Sequence, residues 1–248
     1  MAYKGLPEQF MTGMRPNTAS LKTLCRRALA YAEERDFEGY SKYDALSSPG
    51  LSLLSLGNKY VRLLFTQVVM RAPVNLRPLL GVPKEKNPKG VGLFGQAYTN
   101  LYELWQKESD RDRARHCLDW LMAHRSPGNF AGPCWGYNSG WQTSHFFVPR
   151  YAPNMVVTTV VGQALVRAFE VFGEQVFLDT ARGIIDFIRA DLHVLKDENE
   201  VRCYSYTPFD RLRVININAL GAGLMSRVYE YTKEADLIEE AGRLIRYV

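Results

Sequence analysis

The chain has 248 residues, of which 46% are hydrophobic and 23% charged, the balance of a globular protein that can bury one large core. Its 31 basic and 26 acidic residues give a net charge of +5, and the basic residues are too scattered for a nucleic-acid-binding surface. The sequence contains no run of about 20 apolar residues, so no membrane span is predicted. The N-terminal MAYKGLPEQF lacks the apolar stretch of a signal peptide, and we therefore expect a cytoplasmic protein.

The predicted elements begin with an N-terminal arm over residues 1–20, followed by one helical domain over residues 21–248. Apolar residues recur at helical spacing through this domain, starting with Leu21, Leu24, Cys25 and Ala28. The predicted helices cover about 21–35, 51–71, 90–106, 110–124, 155–172, 174–192, 215–232 and 234–248.

One helical unit occurs three times, with copies about 60 to 70 residues apart. The pairs Tyr102-Glu103, Phe169-Glu170 and Tyr229-Glu230 mark the copies. A similar order of small and apolar residues follows each pair, beginning at Ala114, Ala181 and Ala241. Such a period predicts stacked helical hairpins that bury their apolar faces against each other. Because the glutamate recurs, we expect it to form a salt bridge or hydrogen bond between units.

The connections differ in length at the two ends of the hairpins. Turns within hairpins are short, as at Phe172 to Glu174, which suits antiparallel neighbours. Connections between hairpins are long, over 125–153 and 193–214, and rich in aromatic residues, so we expect them to be ordered. This layout predicts an all-α fold, an α/α toroid of stacked hairpins whose long loops surround the mouth of a central cavity.

The last helix has no stop signal, and a closed toroid of six hairpins needs well over 300 residues. Either the barrel is open or the chain is the N-terminal part of a longer barrel, and we expect the latter. The last hairpin of this chain would expose apolar side chains and favour self-association. These side chains would be Leu237, Ile238, Leu244 and Ile245.

The long loops carry the candidate binding residues. Aromatic faces beside polar groups match a sugar, which has apolar ring faces and a rim of hydroxyls. Packing of the loops onto the helices is the alternative for each aromatic residue. The predicted saccharide-binding residues are Tyr40, Tyr43, Trp135, Tyr137, Asn138, Trp141, Gln142, Asn154, Tyr204, Tyr206 and Arg211.

Three residues are candidates for acid–base catalysis: Asp44, Asp210 and His145. Glycoside hydrolysis and sugar epimerisation both need positioned proton donors and acceptors. Each aspartate also has a structural alternative. Asp44 could cap a helical turn, and Asp210 could form a surface ion pair with Arg211 or Arg213.

Metal and cofactor sites have no support in the sequence. The four cysteines and four histidines are dispersed without a CxxC pair, which favours reduced thiols over a zinc site. Neither a GxGxxG nor a GxxxxGK[ST] motif occurs. We therefore predict no cofactor and no metal.

Five segments carry a resemblance to known proteins: GYSKYDALSSP, NLRPLLGVPKEKNPKG, CWGYNSGWQ, APNMVVTTVVGQAL and YSYTPFDRLRVININALGAGL. They resemble a prokaryotic family found with polysaccharide and glycan genes. The toroidal pattern resembles the α/α superfamily of six-hairpin glycosidases, N-acylglucosamine 2-epimerases and the helical domain of glucuronyl C5-epimerases. This resemblance implies an α/α toroid that acts on saccharides.

The sequence thus favours a carbohydrate-active protein of polysaccharide metabolism, an epimerase, lyase or hydrolase acting on a uronate or amino-sugar unit. Arg150, Arg211 or Arg213 would pair a uronate carboxylate. The partner is a saccharide, with no nucleic acid and no membrane span, and the sequence does not indicate an oligomeric state. The alternative is a non-catalytic helical-repeat scaffold that binds a glycan or a protein.

Overall fold

A computed structural model describes residues 18–144, 146–198 and 200–248. The chain divides into two compact units, residues 1–38 and 39–248. The described part of the first unit is mainly helix α1, Thr18–Glu33, close to its predicted range. The predicted arm lies largely outside the described residues, so its boundary at residue 20 stays a prediction.

The fold of the second unit is dominated by helices. Short strands lie only in the connections. The helices are α2 (Pro49–Leu54), α3 (Lys59–Arg71), α4 (Pro88–Trp105), α5 (Glu108–Ala123), α6 (Met155–Phe172), α7 (Gln175–Asp191), α8 (Ile215–Thr232) and α9 (Ala235–Ile245). The strands are β1 (Glu38–Gly39, at the junction of the units), β2 (Glu85–Lys86), β3 (Trp141–Gln142), β4 (Phe147–Val148), β5 (Val194–Glu198) and β6 (Val201–Tyr204). The prediction of an all-α fold is confirmed.

The predicted helix over 51–71 is wrong as a single element, because the structure breaks it into α2 and α3. Leu56 and Gly57 adopt positive φ angles of 47° and 75°, which a continuing helix does not allow. Asn58 then starts α3 as its N-cap, its side chain accepting hydrogen bonds from the amides of Tyr60 and Val61. Local backbone chemistry therefore overrides the apolar periodicity.

Three antiparallel hairpins follow, α4–α5, α6–α7 and α8–α9, as the repeat predicts. The first helix of each hairpin ends at a residue in the left-handed conformation. These residues are Gln106, Gly173 and Lys233, with φ angles of 50°, 72° and 59°. The shared turn geometry explains why the three connections are equally short.

The first helices of the hairpins pack side by side, with α6 between α4 and α8. Gly162 of α6 allows this close approach, because an added Cβ would clash with Leu224 of α8 and Ile184 of α7. Within the described residues α6 is also the one helix long and apolar enough to cross a bilayer. Since 56% of it is buried inside the fold, it has the pattern of a core helix.

The recurring glutamates form an ion-pair ladder between hairpins, as expected. Arg167 of α6 pairs with Glu103 of α4, and Arg227 of α8 pairs with Glu170 of α6. Arg167 also contacts Glu170 at 3.0 Å. The third glutamate, Glu230, is exposed and has no ion-pair partner among the residues that the structure describes. Glu103 and Glu170 therefore form ion pairs between neighbouring hairpins, whereas Glu230, at the equivalent position, forms none with a described residue.

This difference gives a matched pair of substitutions. Burial alone would raise the pKa of Glu170, but the hydrogen bonds and charges of Arg227 and Arg167 hold that pKa below its usual value. We expect Glu170→Gln to lower the free energy of unfolding by about 1.5–3 kcal/mol at neutral pH. Glu230→Gln should change it by less than about 0.5 kcal/mol. Urea denaturation of both variants measures the difference.

The pH dependence has a defined sign. Because the folded pKa of Glu170 is depressed, its contribution is fully present above the unfolded pKa of about 4.3 and is lost as the pH falls through the folded value. Wild type and Glu170→Gln should therefore converge in stability in acid. Equal effects of the two substitutions at neutral pH would contradict the ladder.

The predicted apolar flank of the last hairpin is only partly present. Leu237 and Leu244 are fully buried, so the expectation that they are exposed is wrong. Ile238 and Ile245 are exposed as expected. The helical period explains the split, since residues seven apart on α9 share a face and their neighbours fall outside it.

Candidate functional site

The two long connections are fixed to the first turns of the helices that follow them. The amide of Trp135 donates to the Thr158 hydroxyl of α6 at 3.0 Å, and that hydroxyl also lies 3.0 Å from the Trp135 carbonyl. In the next repeat the amide of Tyr204 donates to the Asn218 side chain of α8 at 2.8 Å. The same device therefore positions both loops.

The backbone of the 125–153 connection also approaches its neighbours closely. Gly136 forms an isolated antiparallel bridge with Pro153. A Cβ on Gly136 would collide with the carbonyl of Ala152, and one on Gly140 would lie 2.8 Å from the Phe147 ring. Glycine at these two positions therefore permits the close approach. Strands β3 and β4 pair antiparallel beside them.

A cavity of about 290 Å³ lies where three loops of the second unit meet. Its walls are more apolar than polar, and we call it the aromatic cavity. It is lined by Ser41, Lys42, Tyr43, Tyr137, Ser139, Trp141 and Tyr206. The structure thus brings together four of the predicted binding residues, from three loops that lie far apart in the chain.

The aromatic rings are ordered by contacts with one another. Trp141 packs edge-to-face on Tyr206, with ring centroids 6.1 Å apart. Burial raises the pKa of Tyr206, and its hydrogen bond with Tyr137 raises it further. Burial also raises the pKa of Tyr137. Both tyrosines are therefore neutral hydroxyls at physiological pH, able to donate and accept hydrogen bonds.

Three of the predicted binding residues each have a buried side-chain atom without a hydrogen-bond partner within the described protein. These atoms are the indole nitrogen of Trp141, the side-chain oxygen of Asn138 and the side-chain nitrogen of Asn154. Buried polar groups are nearly always paired with protein, water or ligand. Asn154 still caps α6, because its oxygen accepts from the amide of Val157 at 3.0 Å.

Asp44, a predicted acid–base residue, is buried and is not one of the residues that line the aromatic cavity. One carboxylate oxygen accepts from Arg77 at 2.7 Å, and the other accepts from the amide of Ser41 at 2.8 Å. Arg77 also donates to the carbonyl of Ser41. These contacts give Asp44 a clear structural role, since they fix the loop that contributes Ser41, Lys42 and Tyr43.

Asp210, the second predicted acid–base residue, is also buried and fully engaged. One oxygen accepts from the amide and the hydroxyl of Thr207, both at 2.7 Å, and the other accepts from the amide of Leu212 at 2.8 Å. The structural alternative predicted for Asp210, an ion pair with Arg211 or Arg213, does not form. The third candidate, His145, lies outside the described residues.

Two predicted binding residues are buried in other surroundings. Trp135 is fully buried, and its indole N–H donates to the carbonyl of Leu121 at 2.9 Å. Tyr204 is buried, and its hydroxyl donates to Glu240 of α9. For both, these contacts favour the packing alternative, and contact with a saccharide stays a prediction that the structure does not test.

The other predicted residues are dispersed around the loops. Gln142 is buried and donates to the carbonyl of Thr143. The half-buried Tyr40 lies beside the cations of Arg77 and Lys84. Arg211 is exposed. Of the other two arginines considered for a uronate, Arg150 pairs with Glu85 at 2.6 Å and Arg213 donates to the carbonyl of Leu195.

Sequence reasoning missed Ser41, Lys42 and Ser139 as lining residues. Each lies next to a predicted aromatic or amide residue, but small hydroxyls and single lysines are too common in loops to stand out. Arg77, which fixes Asp44, was also missed because it lies 33 residues away in the chain. Within the described residues no group of three His, Cys, Asp or Glu side chains could hold a metal ion.

No protein-family model matches the chain, and no curated protein matches it in sequence. Several solved structures match its fold. A D-mannose isomerase matches with a TM-score of 0.50 at 13% identity, over 83% of this chain and 57% of that chain. A family 76 α-mannanase from Bacteroides thetaiotaomicron matches with a TM-score of 0.49 at 15% identity, over 66% of this chain and 45% of that chain.

A family 76 α-1,6-mannanase from Salegentibacter sp. HEL1_6 matches with a TM-score of 0.47 at 12% identity, over 85% of this chain and 61% of that chain. The chain spans 34% to 45% of the length of three Bacteroides structures that it matches. At such identities the likeness concerns the fold alone. The hairpins of residues 39–248 therefore belong to the α/α-toroid class, as predicted.

Proposed function

We propose that this protein binds a saccharide in the aromatic cavity and takes part in carbohydrate metabolism. The observation that carries the proposal is the combination of four aromatic side chains with hydroxyl and ammonium groups in one cavity of about 290 Å³. The rings offer flat apolar faces, and the polar groups can bind sugar hydroxyls. The D-mannose isomerase that shares the fold is, by its name, a sugar enzyme.

The finer part of the proposal is polysaccharide metabolism with a uronate or amino-sugar unit as ligand. Lys42 lines the aromatic cavity, and no carboxylate among the described residues does, which favours a neutral or acidic sugar over a cationic one. We also propose that the protein acts in the cytoplasm, as expected from its N-terminal sequence.

A binding role without catalysis is the second candidate. It is favoured by the engagement of both oxygens of Asp44 and of Asp210, since neither carboxylate is free to accept or deliver a proton without breaking contacts. The helical hairpins would then present the aromatic cavity as a recognition surface for a glycan.

Tyr43 allows a direct test, because it lines the aromatic cavity and is 45% exposed. We expect Tyr43→Ala to weaken saccharide binding at least tenfold while leaving the melting temperature nearly unchanged. Phe209→Ala is the matched control. Phe209 is an exposed aromatic side chain in the 193–214 connection, and it does not line the aromatic cavity. Calorimetry with mannose-, glucuronate- and N-acetylglucosamine-containing oligosaccharides measures binding.

The same titrations separate the possible outcomes. Binding lost in Tyr43→Ala and kept in Phe209→Ala would support the proposal. Product formation from any bound oligosaccharide would favour an enzyme over the second candidate. Failure of wild type to bind any of the three sugar classes would contradict a saccharide site.

A further inference from the structure

Helices α2 and α3 and the segment after them expose an unusual number of large apolar side chains. Eight such residues are between 51% and 88% exposed, and the highest value belongs to Leu56 between the two helices. On α3 the exposed positions are four residues apart, so they form one stripe along the helix. The eight residues, which we call the apolar face, are Leu53, Leu54, Leu56, Tyr60, Leu64, Val68, Val74 and Leu79.

The charge of this segment is entirely positive. Between Asp44 and Glu85 the sequence contains no acidic residue and five basic ones. Two of these are occupied, since Arg77 pairs with Asp44 and Arg62 stacks over the Phe147 ring at 4.2 Å. Lys59, Arg71 and Lys84 are exposed and have no carboxylate partner in the described part of the chain.

We propose that the apolar face docks onto the surface of an anionic lipid membrane. Exposed apolar surface of this extent marks an interaction site, and the uncompensated cations define the partner's chemistry. A bilayer with anionic headgroups offers negative charge at the surface and apolar chains beneath it. Leucines and a tyrosine flanked by Lys and Arg have the composition of an interfacial surface.

A second copy of the chain fits this surface less well. A symmetric dimer through the apolar face would bring each copy's Lys59 and Arg71 towards the same cations of its partner, with no carboxylate between residues 44 and 85 to separate them.

The docking would be peripheral. Helices α2 and α3 have 6 and 13 residues, too few to cross a bilayer, which needs about 20. Binding should therefore be reversible and weakened by salt, because part of it comes from headgroup charge. This proposal does not depend on the saccharide site.

Vesicle sedimentation tests the proposal with the whole protein. The probes are vesicles of pure phosphatidylcholine and vesicles containing about 30% phosphatidylglycerol. We expect binding to the anionic vesicles only, reduced at high salt. Leu53→Ser/Leu56→Ser/Leu64→Ser should abolish it, and Lys59→Gln/Arg71→Gln should weaken it on the order of tenfold.

A matched control uses apolar residues that are exposed on the hairpins. Leu104→Ser/Val176→Ser/Ile238→Ser removes three apolar side chains that are 43% to 66% exposed and should leave vesicle binding unchanged. Circular dichroism of all variants verifies that they fold. Equal binding to both kinds of vesicle, or no binding to either, would overturn the proposal. Concentration-dependent self-association that is lost in the Leu53/Leu56/Leu64 variant would instead identify a second copy as the partner.

Discussion

Replacing Glu240 with alanine is expected to lower the free energy of unfolding by about 3–5 kcal/mol, one of the two largest effects of any single substitution considered for this protein. The Glu240 side chain is only 7% exposed. It accepts hydrogen bonds from Arg189 at 2.6 Å, from Arg202 at 3.1 Å and from the Tyr204 hydroxyl. One carboxylate thus joins α7, β6 and α9.

The size of the effect follows from what the substitution leaves behind. Alanine at position 240 would remove three hydrogen bonds to one carboxylate and leave the buried Tyr204 phenol without its acceptor. Arg189 and Arg202 would keep their second carboxylate partners, Asp236 and Asp197. Each hydrogen bond to a charged group contributes about 1.5–3 kcal/mol, and the unpaired buried phenol adds its own desolvation cost. Urea denaturation at neutral pH measures the loss.

Two further variants make the test specific. Glu239→Ala changes the exposed neighbour of Glu240 and should alter stability by less than about 0.5 kcal/mol. Tyr204→Phe keeps the ring but removes one hydrogen bond to a charged group, so we expect a loss of about 1.5–3 kcal/mol. A loss below about 1 kcal/mol for Glu240→Ala would show that Glu240 does not join these elements.

The helices were the most predictable part of the fold. Apolar periodicity placed α6 at 155–172 and α8 at 215–232, the ranges that the structure shows. The recurring pair Phe169-Glu170 indicated the stacking of hairpins and the ladder between them. These features depend on residues close together in the chain, or on a pattern that repeats, and both can be detected in a single sequence.

For the loops, the sequence shows which aromatic and polar residues they contain but not where each side chain lies. Trp135 and Trp141 lie in one connection and look equivalent in sequence, yet one is in the core and the other lines the aromatic cavity. The difference depends on the carbonyl of Leu121 on α5, which accepts the indole N–H of Trp135. Asp44 likewise depends on Arg77. No local pattern encodes such distant partners.

The two tryptophans therefore give the second large prediction. We expect Trp135→Ala to lower the free energy of unfolding by about 3–5 kcal/mol, because it removes a fully buried ring and a hydrogen bond to Leu121. Trp141→Ala removes a half-buried ring that packs on Tyr206, so its cost in stability should be clearly smaller. Its effect on saccharide binding should be the larger one.

Both variants are measured by urea denaturation and by oligosaccharide titration, with wild type alongside. Trp135→Ala should lose stability, and the protein that remains folded should bind as wild type does. Trp141→Ala should stay folded and lose binding, because it removes one wall of the aromatic cavity. If both variants were equally destabilised, Trp141 would serve only to pack its loop. The largest ring of the aromatic cavity would then not contact a ligand. The non-catalytic helical scaffold would then be favoured, because the ion pairs between hairpins and the contacts of Glu240 stabilise the fold without a ligand.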